Sequence, residues 1–386
     1  MIRKMHIGNF KLHENTEIDL KGLTILTGMN GMGKSSVIQS LLLLRQSHMM
    51  NDLEYGLNLK GDLCDVGISG ELSCQAADDS SLHIGLEFQA QEPLHYRFEY
   101  PDDYMATSLK GTAGNVTAKE RLADYSLFTD RFQYLSAFRF GPQKSYNRDT
   151  SLVGMKKQIS KIMGQCEYAV HFLEQYKNTD IPIVELAIPN PRSDNETGEG
   201  ANLPLDARLE VQVERWLRKI SPNIKIVIEP MGEDFRLRYK FNREENPITD
   251  EISAMNTGFG ITYVLPILIA VLSAERGALI IIENPEAHIH PKGQAILMEL
   301  IAMAVANGVQ VIIESHSDHI INGALVALNK QILSTEQLSV YYFSRDEHAH
   351  TSIATSLAVT ESGHIRRPPA GFFDQMDADL KLLTGF

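Results

Sequence analysis

Residues 23–36 read Leu-Thr-Ile-Leu-Thr-Gly-Met-Asn-Gly-Met-Gly-Lys-Ser-Ser, an apolar run followed by a glycine-rich turn. The apolar run predicts a buried strand, and the leucine-rich residues 36–45 predict a helix with an apolar face. A strand, a glycine loop and a helix in this order are the context of a phosphate-binding P-loop. The stretch therefore predicts an α/β fold built around a triphosphate site.

The glycine turn matches the Walker A pattern, Gly-x4-Gly-Lys-Ser, at residues 28–35. Its glycines let successive backbone N–H groups point at a phosphate, and the dipole of the following helix favours the same anion. Lys34 would neutralise charge on the β- and γ-phosphates, and the Ser35 hydroxyl would ligate Mg²⁺. We predict ATP and Mg²⁺ as cofactors, although no residue specifies adenine. The residues predicted to bind the nucleotide in this loop are Gly28, Asn30, Gly31, Met32, Gly33, Lys34, Ser35 and Ser36.

The composition is that of an ordinary globular protein, with 386 residues of which 43% are hydrophobic. A net charge of −13 argues against a broadly basic surface that coats nucleic acid, but not against a local basic groove. The three cysteines form no CxxC pair, so neither a zinc site nor a disulfide framework is expected. The N-terminus lacks a signal-peptide core, and the longest apolar run, Val264–Ala274, is too short to span a bilayer. We predict a cytoplasmic chain with no membrane contact.

Hydrophobic patterns assign the rest of the chain. Residues 60–100 alternate between polar and apolar positions and predict a β meander, and residues 151–176 have a helical pattern. Apolar strands at 278–282 and 309–313 alternate with apolar helices, which predicts a parallel sheet covered on both faces.

The chain divides into a predicted ATPase domain at residues 1–330 and a C-terminal extension at 331–386 that packs on it. The ATPase domain would carry an inserted lobe of helices and strands at about 101–250. Residues 189–204 are rich in Pro, Asn, Gly and Glu, and are predicted to form a mobile loop within that lobe.

Residues 278–283 read Ala-Leu-Ile-Ile-Ile-Glu, an apolar strand that ends in a carboxylate. Next to a Walker A loop, such a strand is typical of a Walker B motif, whose acid reaches the metal end of the nucleotide, usually through a water. Glu283 is therefore predicted as a metal ligand together with Ser35.

Residues 281–291, Ile-Ile-Glu-Asn-Pro-Glu-Ala-His-Ile-His-Pro, resemble the Walker B and D-loop region of ABC-type ATPases related to the SMC, RecF and OLD proteins. The opening Ile-Gly-Asn-Phe-Lys at 7–11 resembles the entry strand of that family. Ile-Glu-Ser-His-Ser-Asp at 313–318 resembles the strand end that carries its switch histidine. The resemblance covers about 1–70 and 250–386.

The most similar subgroup is the small bacterial ATPases that lack a Toprim nuclease domain, such as the Septu-type anti-phage ATPases. The segment Pro-Ala-Gly-Phe-Phe-Asp at 369–374 also resembles that subgroup. The resemblance implies an ABC-type P-loop NTPase with a mixed, largely parallel sheet, an antiparallel β portion and a helical lobe.

The resemblance also implies a head-to-tail dimer, in which two ATP molecules lie between two copies of the chain. The segment Met-Asn-Thr-Gly-Phe-Gly-Ile-Thr at 255–262 would be the signature motif. Gly258, Gly260 and Thr262 would then meet the γ-phosphate bound by the other copy, at a helix N-terminus. A glycine-containing helix start with Thr as its cap is the alternative interpretation.

The residue after the Walker B acid is usually a glutamate in this family, and here it is Asn284. An amide can orient a water but cannot accept its proton. Glu286 could serve as the base, Asn284 could only position water, or hydrolysis could be slow with ATP binding as the main signal. We favour the last two together. His316 is the candidate sensor of the γ-phosphate, by its resemblance to the switch histidine.

Two other segments carry polar residues of interest. His288 and His290 lie two positions apart and share a face only in a strand, so they are interpreted as D-loop contacts rather than metal ligands. Arg139, within Gln-Tyr-Leu-Ser-Ala-Phe-Arg-Phe-Gly-Pro at 133–142, could reach phosphate or a partner, or could be a surface arginine before a turn.

The chain is therefore interpreted as an ATP-binding and ATP-hydrolysing molecular switch whose copies dimerise through their ATP sites. The resemblance implies the ATPase subunit of a bacterial anti-phage complex, with a nuclease or another effector protein as partner and with DNA contacted directly or through that partner. The alternative is a self-sufficient, RecF-like repair ATPase that binds DNA itself. A nuclease in its own right is not expected, because no second acidic cluster with two-metal spacing is evident.

Overall fold

The computed structural model describes residues 1–115, 119–190, 205–241, 250–346, 348–369, 372 and 380–383. The chain forms two compact units: unit 1 comprises Met1–Thr129 and Gln310–Phe386, and unit 2 comprises Asp130–Val309. The predicted division into residues 1–330 and 331–386 stays a prediction. The predicted mobile loop at 189–204 lies outside the described residues from position 191 onward, as does most of the segment at 369–374.

The strands are β1 (Ile2–Phe10), β2 (His13–Asp19), β3 (Leu23–Gly28), β4 (Gly56–Asn58), β5 (Ser81–Phe88), β6 (Leu94–Glu99), β7 (Ser108–Gly111), β8 (Phe132–Leu135), β9 (Ile224–Met231), β10 (Asp234–Phe241), β11 (Ile252–Ser253), β12 (Leu279–Glu283), β13 (Gln310–Glu314), β14 (Leu338–Arg345) and β15 (Ser352–Ser356).

The helices are α1 (Lys34–Met49), α2 (Lys119–Leu122), α3 (Thr150–Lys156), α4 (Ala169–Tyr176), α5 (Leu209–Ile220), α6 (Phe259–Leu272), α7 (Pro291–Ala306) and α8 (Asp318–Asn329). Short 3-10 turns lie at Ser69–Glu71, Ser126–Phe128, Val184–Leu186 and Ala254–Asn256. None of the helices in the described ranges is long and apolar enough to cross a bilayer.

Unit 1 contains an antiparallel sheet with the strand order β2-β1-β5-β6-β7-β4. Alternating burial in β6, where Leu94, Tyr96 and Phe98 face inward, explains its period-two sequence pattern. The predicted meander is confirmed for β5 and β6. It is wrong for residues 60–80, where only an isolated bridge between Lys60 and Asp65 forms, and the antiparallel sheet is completed by β1 and β4 instead.

Unit 1 also contains the strands β15-β14-β3-β13, neighbours in that order. β3 pairs in parallel with β14 on one side and with β13 on the other, and β15 runs antiparallel to β14. The leucines of α1 predicted to be apolar are all fully buried: Leu41, Leu42, Leu43 and Leu44. The C-terminal strand β14 thus flanks the strand that leads into the glycine turn.

Unit 2 combines the parallel strands β8 and β12 with the antiparallel strands β9, β10 and β11 and a group of helices. Every residue of α6 from Thr262 to Leu272 is buried, which explains why its sequence lacks a polar face. The stretch at 151–176 with a helical pattern forms two helices, α3 and α4, and α3 ends at Lys156 because its C-cap, Lys157, is left-handed. The mixed, largely parallel α/β fold with an antiparallel portion and a helical part is confirmed.

The end of β3 depends on the absence of a side chain at Gly28. This residue has a φ of 132°, and a Cβ built on it would collide with the backbone carbonyl of Phe343 in β14. Gly31 has a φ of 75°, but a Cβ there would meet no atom within 4 Å. Of these two glycines, Gly28 is therefore the one needed for the close approach of β3 to β14.

We expect Gly28→Ala to lower the free energy of unfolding by about 2–5 kcal/mol, since it adds a backbone collision to backbone strain. Gly31→Ala should cost only about 1–2 kcal/mol, because its penalty is the left-handed conformation alone. Urea denaturation followed by circular dichroism measures both values. Equal losses in the two variants would show that strand spacing does not depend on Gly28.

Candidate nucleotide-binding site

The glycine turn of unit 1 has the backbone of a phosphate cradle. Gly28, Gly31 and Gly33 all have positive φ values, of 132°, 75° and 98°. Gly33 is the N-cap of α1, and no side chain in the described chain caps that helix start. Apart from that of Ser36, which bonds the carbonyl of Gly33, the first N–H groups of α1 are therefore left to an anion, with the positive end of the helix dipole behind them.

Lys34 is folded against its own loop. Its side chain is 3% exposed, and its Nζ donates to the carbonyl oxygens of Gly28, at 3.0 Å, and Met29, at 2.7 Å. Burial lowers the pKa of Lys34, and the nearby carboxylate of Glu314 opposes that shift. The ammonium group is thus held at the mouth of the cradle, where the charge of a triphosphate would stabilise it.

Two side chains outside the motif hold the end of the loop in place. The buried ring of His13 has its Nε2 2.9 Å from the carbonyl oxygen of Gly33 and its Nδ1 2.9 Å from the hydroxyl of Thr16. Since a carbonyl only accepts, His13 donates from Nε2, and Nδ1 accepts from Thr16. Ser352 of β15 donates its hydroxyl to the carbonyl of Met32, at 2.6 Å.

The two serines of the motif face different ways. Ser35 is exposed, and its hydroxyl donates to Oε1 of Glu314 at 2.9 Å. Ser36 is 8% exposed, and its amide bonds the carbonyl of Gly33 at 3.1 Å. Of these hydroxyls, the one of Ser35 lies where an incoming ligand can reach it.

Glu314 ends β13 and is 6% exposed. Sequence analysis missed it, although it carries the signal that singled out Glu283: an apolar strand that ends in an acid. His316 follows two residues later and is exposed, while Ser317 caps α8 by accepting from the amide of His319. Unit 1 therefore brings together the glycine turn, Glu314 and the strand end that carries His316.

In unit 2, Glu283 lies at the end of β12 with both carboxylate oxygens engaged. Oε1 accepts from the hydroxyl of Tyr134 at 3.0 Å, and Oε2 accepts from the amide of Ala137 at 3.1 Å. Burial raises the pKa of Glu283, and these two hydrogen bonds and Arg139 oppose that shift. The predicted Walker B acid is thus fixed to the segment that follows β8.

Arg139 is 3% exposed, so its interpretation as a surface arginine is wrong, while a contact with phosphate or a partner stays a prediction. Its guanidinium donates to the carbonyls of Ser136 and Glu283, both at 2.6 Å, and of Asn284, at 2.9 Å. It also stacks on the ring of Tyr263, 4.6 Å from the ring centre. Arg139 therefore joins the segment after β8, the end of β12 and helix α6 within unit 2.

The turn after β12 contains the predicted catalytic and D-loop positions. Asn284 and His288 have φ values of 43° and 62°, so this turn is left-handed at both places. Glu286 is partly buried between them. His290 is the N-cap of α7 and accepts from the amide of Lys292, which gives it a structural contact of its own.

The segment predicted as a signature motif begins α6, with Gly258 as N-cap and no capping side chain in the described residues. A side chain on Gly260 would collide with the carbonyl of His288, so this glycine lets the helix pack against the turn. Thr262 is 2% exposed and its hydroxyl lies 3.2 Å from that of Tyr239, so it faces the core of unit 2. Its geometry fits neither a helix cap nor a group presented to a phosphate.

Phe259 completes this cluster at the start of α6. It is 47% exposed and packs edge-on against His288, with ring centres 4.6 Å apart.

Within the described residues, no group of three or more His, Cys, Asp or Glu side chains is arranged to hold a metal ion. A Mg²⁺ that keeps several waters and uses a serine hydroxyl and nucleotide oxygens needs no such cage. The glycine cradle and the exposed Ser35 hydroxyl therefore fit a magnesium triphosphate.

A family model described as "AAA domain, putative AbiEii toxin, Type IV TA system" matches residues 23–322. The chain belongs to this AAA family. Residues 333–383 match a second family, of proteins of unknown function (DUF3696). No curated protein matches the sequence.

Two solved structures of SMC heads are similar in fold to this AAA protein. The SMC head bound to the C-winged helix domain of ScpA is similar over 94% of this chain and 98% of its own, with a TM-score of 0.57 at 13% identity. The SMC head domain with an extended coiled coil, bound to the C-terminal domain of ScpA derived from Pyrococcus furiosus, is similar over 100% and 98%, with a TM-score of 0.51 at 14% identity. These likenesses show that the chain has the fold of SMC head domains.

The contact between His13 and Gly33 can be tested with two isosteric replacements. The amide nitrogen of His13→Gln can take the place of Nε2, whereas that of His13→Asn can replace only Nδ1. We expect His13→Asn to weaken binding of a fluorescent ATP analogue by about tenfold, which corresponds to the loss of one hydrogen bond. His13→Gln should stay within about threefold of the wild type.

The control is His6→Asn, since His6 lies on β1 and bonds Asn15 instead of the loop. It should leave binding unchanged. Equal weakening by the Gln and Asn variants of His13 would show that the bond to Gly33 does not matter.

Removal of Arg139 should destabilise unit 2. Arg139→Ala leaves three carbonyl groups without their charged donor, so we expect the free energy of unfolding to fall by about 3 kcal/mol or more. Arg148→Ala is the matched control, since Arg148 is exposed and its guanidinium lies 5.0 Å from the ring centre of Phe235. It should cost no more than about 1 kcal/mol.

The single tryptophan, Trp216, is buried in unit 2 and reports its unfolding by fluorescence in a urea titration. Similar losses in the two arginine variants would contradict a structural role specific to Arg139.

Proposed function

We propose that this AAA protein is an ATP-dependent molecular switch, in which two copies bind head to tail around two Mg²⁺–ATP molecules. The observation that carries the proposal is the glycine turn of unit 1, with its uncapped helix start and its buried Lys34. Such a cradle provides backbone N–H groups and one fixed positive charge for a triphosphate. Membership of the AAA family and the SMC-head fold support ATPase function.

The start of α6 supports the composite site. Gly258 leaves the first N–H groups of this helix without a side-chain cap, and exposed apolar side chains, Met255 and Phe259, flank it. Exposed apolar residues around an anion-binding helix start suit a surface that another protein copy covers when a γ-phosphate is present. Gly258 and Gly260 remain the proposed contacts. Thr262 would act only by holding α6 through Tyr239.

Slow hydrolysis follows from the chemistry of the turn after β12. Asn284 cannot accept a proton from water, and the carboxylate of Glu283 already accepts two hydrogen bonds. The proposed roles are therefore water positioning for Asn284, the remaining base for Glu286 and γ-phosphate sensing for His316. Binding of ATP would be the main signal, and hydrolysis would reset it.

The wider setting rests on the resemblance to anti-phage ATPases. The switch would act in the cytoplasm as the ATPase subunit of a defence complex, with a nuclease or another effector protein as its partner. The acidic net charge of −13 supports contact with DNA through that partner. Tight binding of duplex DNA by the isolated protein, with a steep salt dependence, would favour the RecF-like alternative.

The composite site predicts distinct behaviour for the wild type and two variants in the presence of Mg²⁺ and a non-hydrolysable ATP analogue. The wild type should sediment as a dimer. Lys34→Ala should bind no analogue and stay monomeric. Gly258→Asp should bind the analogue but stay monomeric, because its carboxylate would repel the partner's γ-phosphate. A Cβ on Gly258 meets no atom within 4 Å, so the change is sterically tolerated.

Asn284→Glu restores a proton acceptor and should raise the rate of ATP hydrolysis by about 100-fold, the usual contribution of a general base. Analytical ultracentrifugation and a phosphate-release assay measure these outcomes. Dimerisation of Gly258→Asp at the wild-type affinity would contradict the composite site. Fast turnover by the wild type would contradict the slow switch.

A further inference from the structure

The carboxylate of Glu314 reaches the Walker A serine through strand pairing within unit 1. β13 runs parallel to β3, and Glu314 pairs in register with Leu26, two residues before the glycine turn begins. The amide of Ser315 also bonds the carbonyl of Leu26, at 3.1 Å. Parallel neighbours end at the same edge of a sheet, so an acid that ends β13 lies beside the loop that follows β3.

The hydrogen bond between Ser35 and Glu314 orients the serine. A hydroxyl has one donor and two acceptor lone pairs. Because Ser35 donates to Oε1 of Glu314 at 2.9 Å, the lone pairs of its oxygen are directed elsewhere, as a metal ligand requires. The bond is charge-assisted and the carboxylate is 6% exposed, so this orientation is strongly held.

The charge of Glu314 also bears on ligand choice. A buried carboxylate beside a phosphate cradle repels a bare triphosphate, and a bound divalent cation turns that repulsion into attraction. Lys34 supplies one positive charge nearby, but its Nζ is held by the carbonyls of Gly28 and Met29. The site thus contains a negative charge that a metal ion would balance.

We propose that Glu314 is the residue that positions Ser35 for Mg²⁺ and makes nucleotide binding depend on the divalent cation. This inference rests on the proposed ATP-binding function. The acid at the metal end of the nucleotide would then include Glu314 of β13, whereas the sequence motifs assign that role to Glu283 alone. Glu283 accepts hydrogen bonds from Tyr134 and Ala137 at its two oxygens, whereas Glu314 contacts the serine of the motif directly.

The test measures the affinity for a fluorescent, non-hydrolysable ATP analogue, first in EDTA and then at rising Mg²⁺ concentration. In the wild type, Mg²⁺ should strengthen binding. Glu314→Gln keeps the shape of the side chain but removes its charge. We expect it to need roughly 10- to 100-fold more Mg²⁺ for half of the gain, as is usual when a partner of a metal ligand is changed. In EDTA it should bind at least as tightly as the wild type.

Two further variants distinguish a change in the Mg²⁺ requirement from a loss of folding. Glu314→Asp retains the charge on a shorter side chain and should require an intermediate Mg²⁺ concentration. In a Ser35→Ala background, Glu314→Gln should raise the Mg²⁺ requirement by a smaller factor than it does in the wild type, because part of its effect depends on the hydrogen bond to Ser35. Glu336→Gln is the control, since Glu336 is exposed in the same unit, and it should match the wild type.

The outcomes separate this inference from the proposed function. Unchanged Mg²⁺ dependence in Glu314→Gln, with tight nucleotide binding, would overturn the role of Glu314 and leave the switch proposal standing. Additive effects of Ser35→Ala and Glu314→Gln would also overturn it. A wild-type protein that binds no nucleotide at any Mg²⁺ concentration would overturn both.

Discussion

The close approach of β3 to β14 at Gly28 is the constraint on which the rest of unit 1 depends. A glycine at the end of β3 lets two parallel backbones come within a distance that excludes a Cβ. The chain can then leave the sheet at once and turn into α1. The positive φ values of Gly31 and Gly33 complete this turn. The shape of the phosphate-binding turn therefore depends on the packing of β3 against β14 as well as on the glycines of the loop.

Buried charges in both units are satisfied by nearby backbone groups. Lys34 bonds two loop carbonyls, and Arg139 bonds three carbonyls around β8 and β12. A buried ion needs such partners, because its desolvation would otherwise cost several kcal/mol. In each case the charge bonds carbonyl groups of a turn that contains left-handed residues, such as Gly31 and Asn284. These hydrogen bonds stabilise the turns that carry the predicted site residues.

Local patterns in the sequence were sufficient for the strands and helices that carry the motifs. The short apolar runs before Gly28 and in β12 have the length of buried strands, whereas the apolar run of α6 has the length of a helix. Contacts between distant segments were not predictable in this way. His13, Glu314 and Ser352 lie 20, 279 and 320 positions from their partners at the loop. The local sequence marks Glu314 as an acid at a strand end, but for none of the three does it indicate the partner. Arg139 was misjudged for the same reason, because burial depends on packing that no short segment encodes.

The hydrogen bond from the hydroxyl of Ser352 to Met32 constrains how the two family segments of this chain can change in evolution. It lies in the segment matched to one family, at 333–383, and supports Met32 in the segment matched to another, at 23–322. The two segments are therefore not interchangeable modules. A C-terminal segment transplanted from a relative would have to bring its own donor for the Met32 carbonyl, or the loop would have to change with it. The pairing of β14 with β3 joins the same two segments, so we expect them to be inherited as a pair.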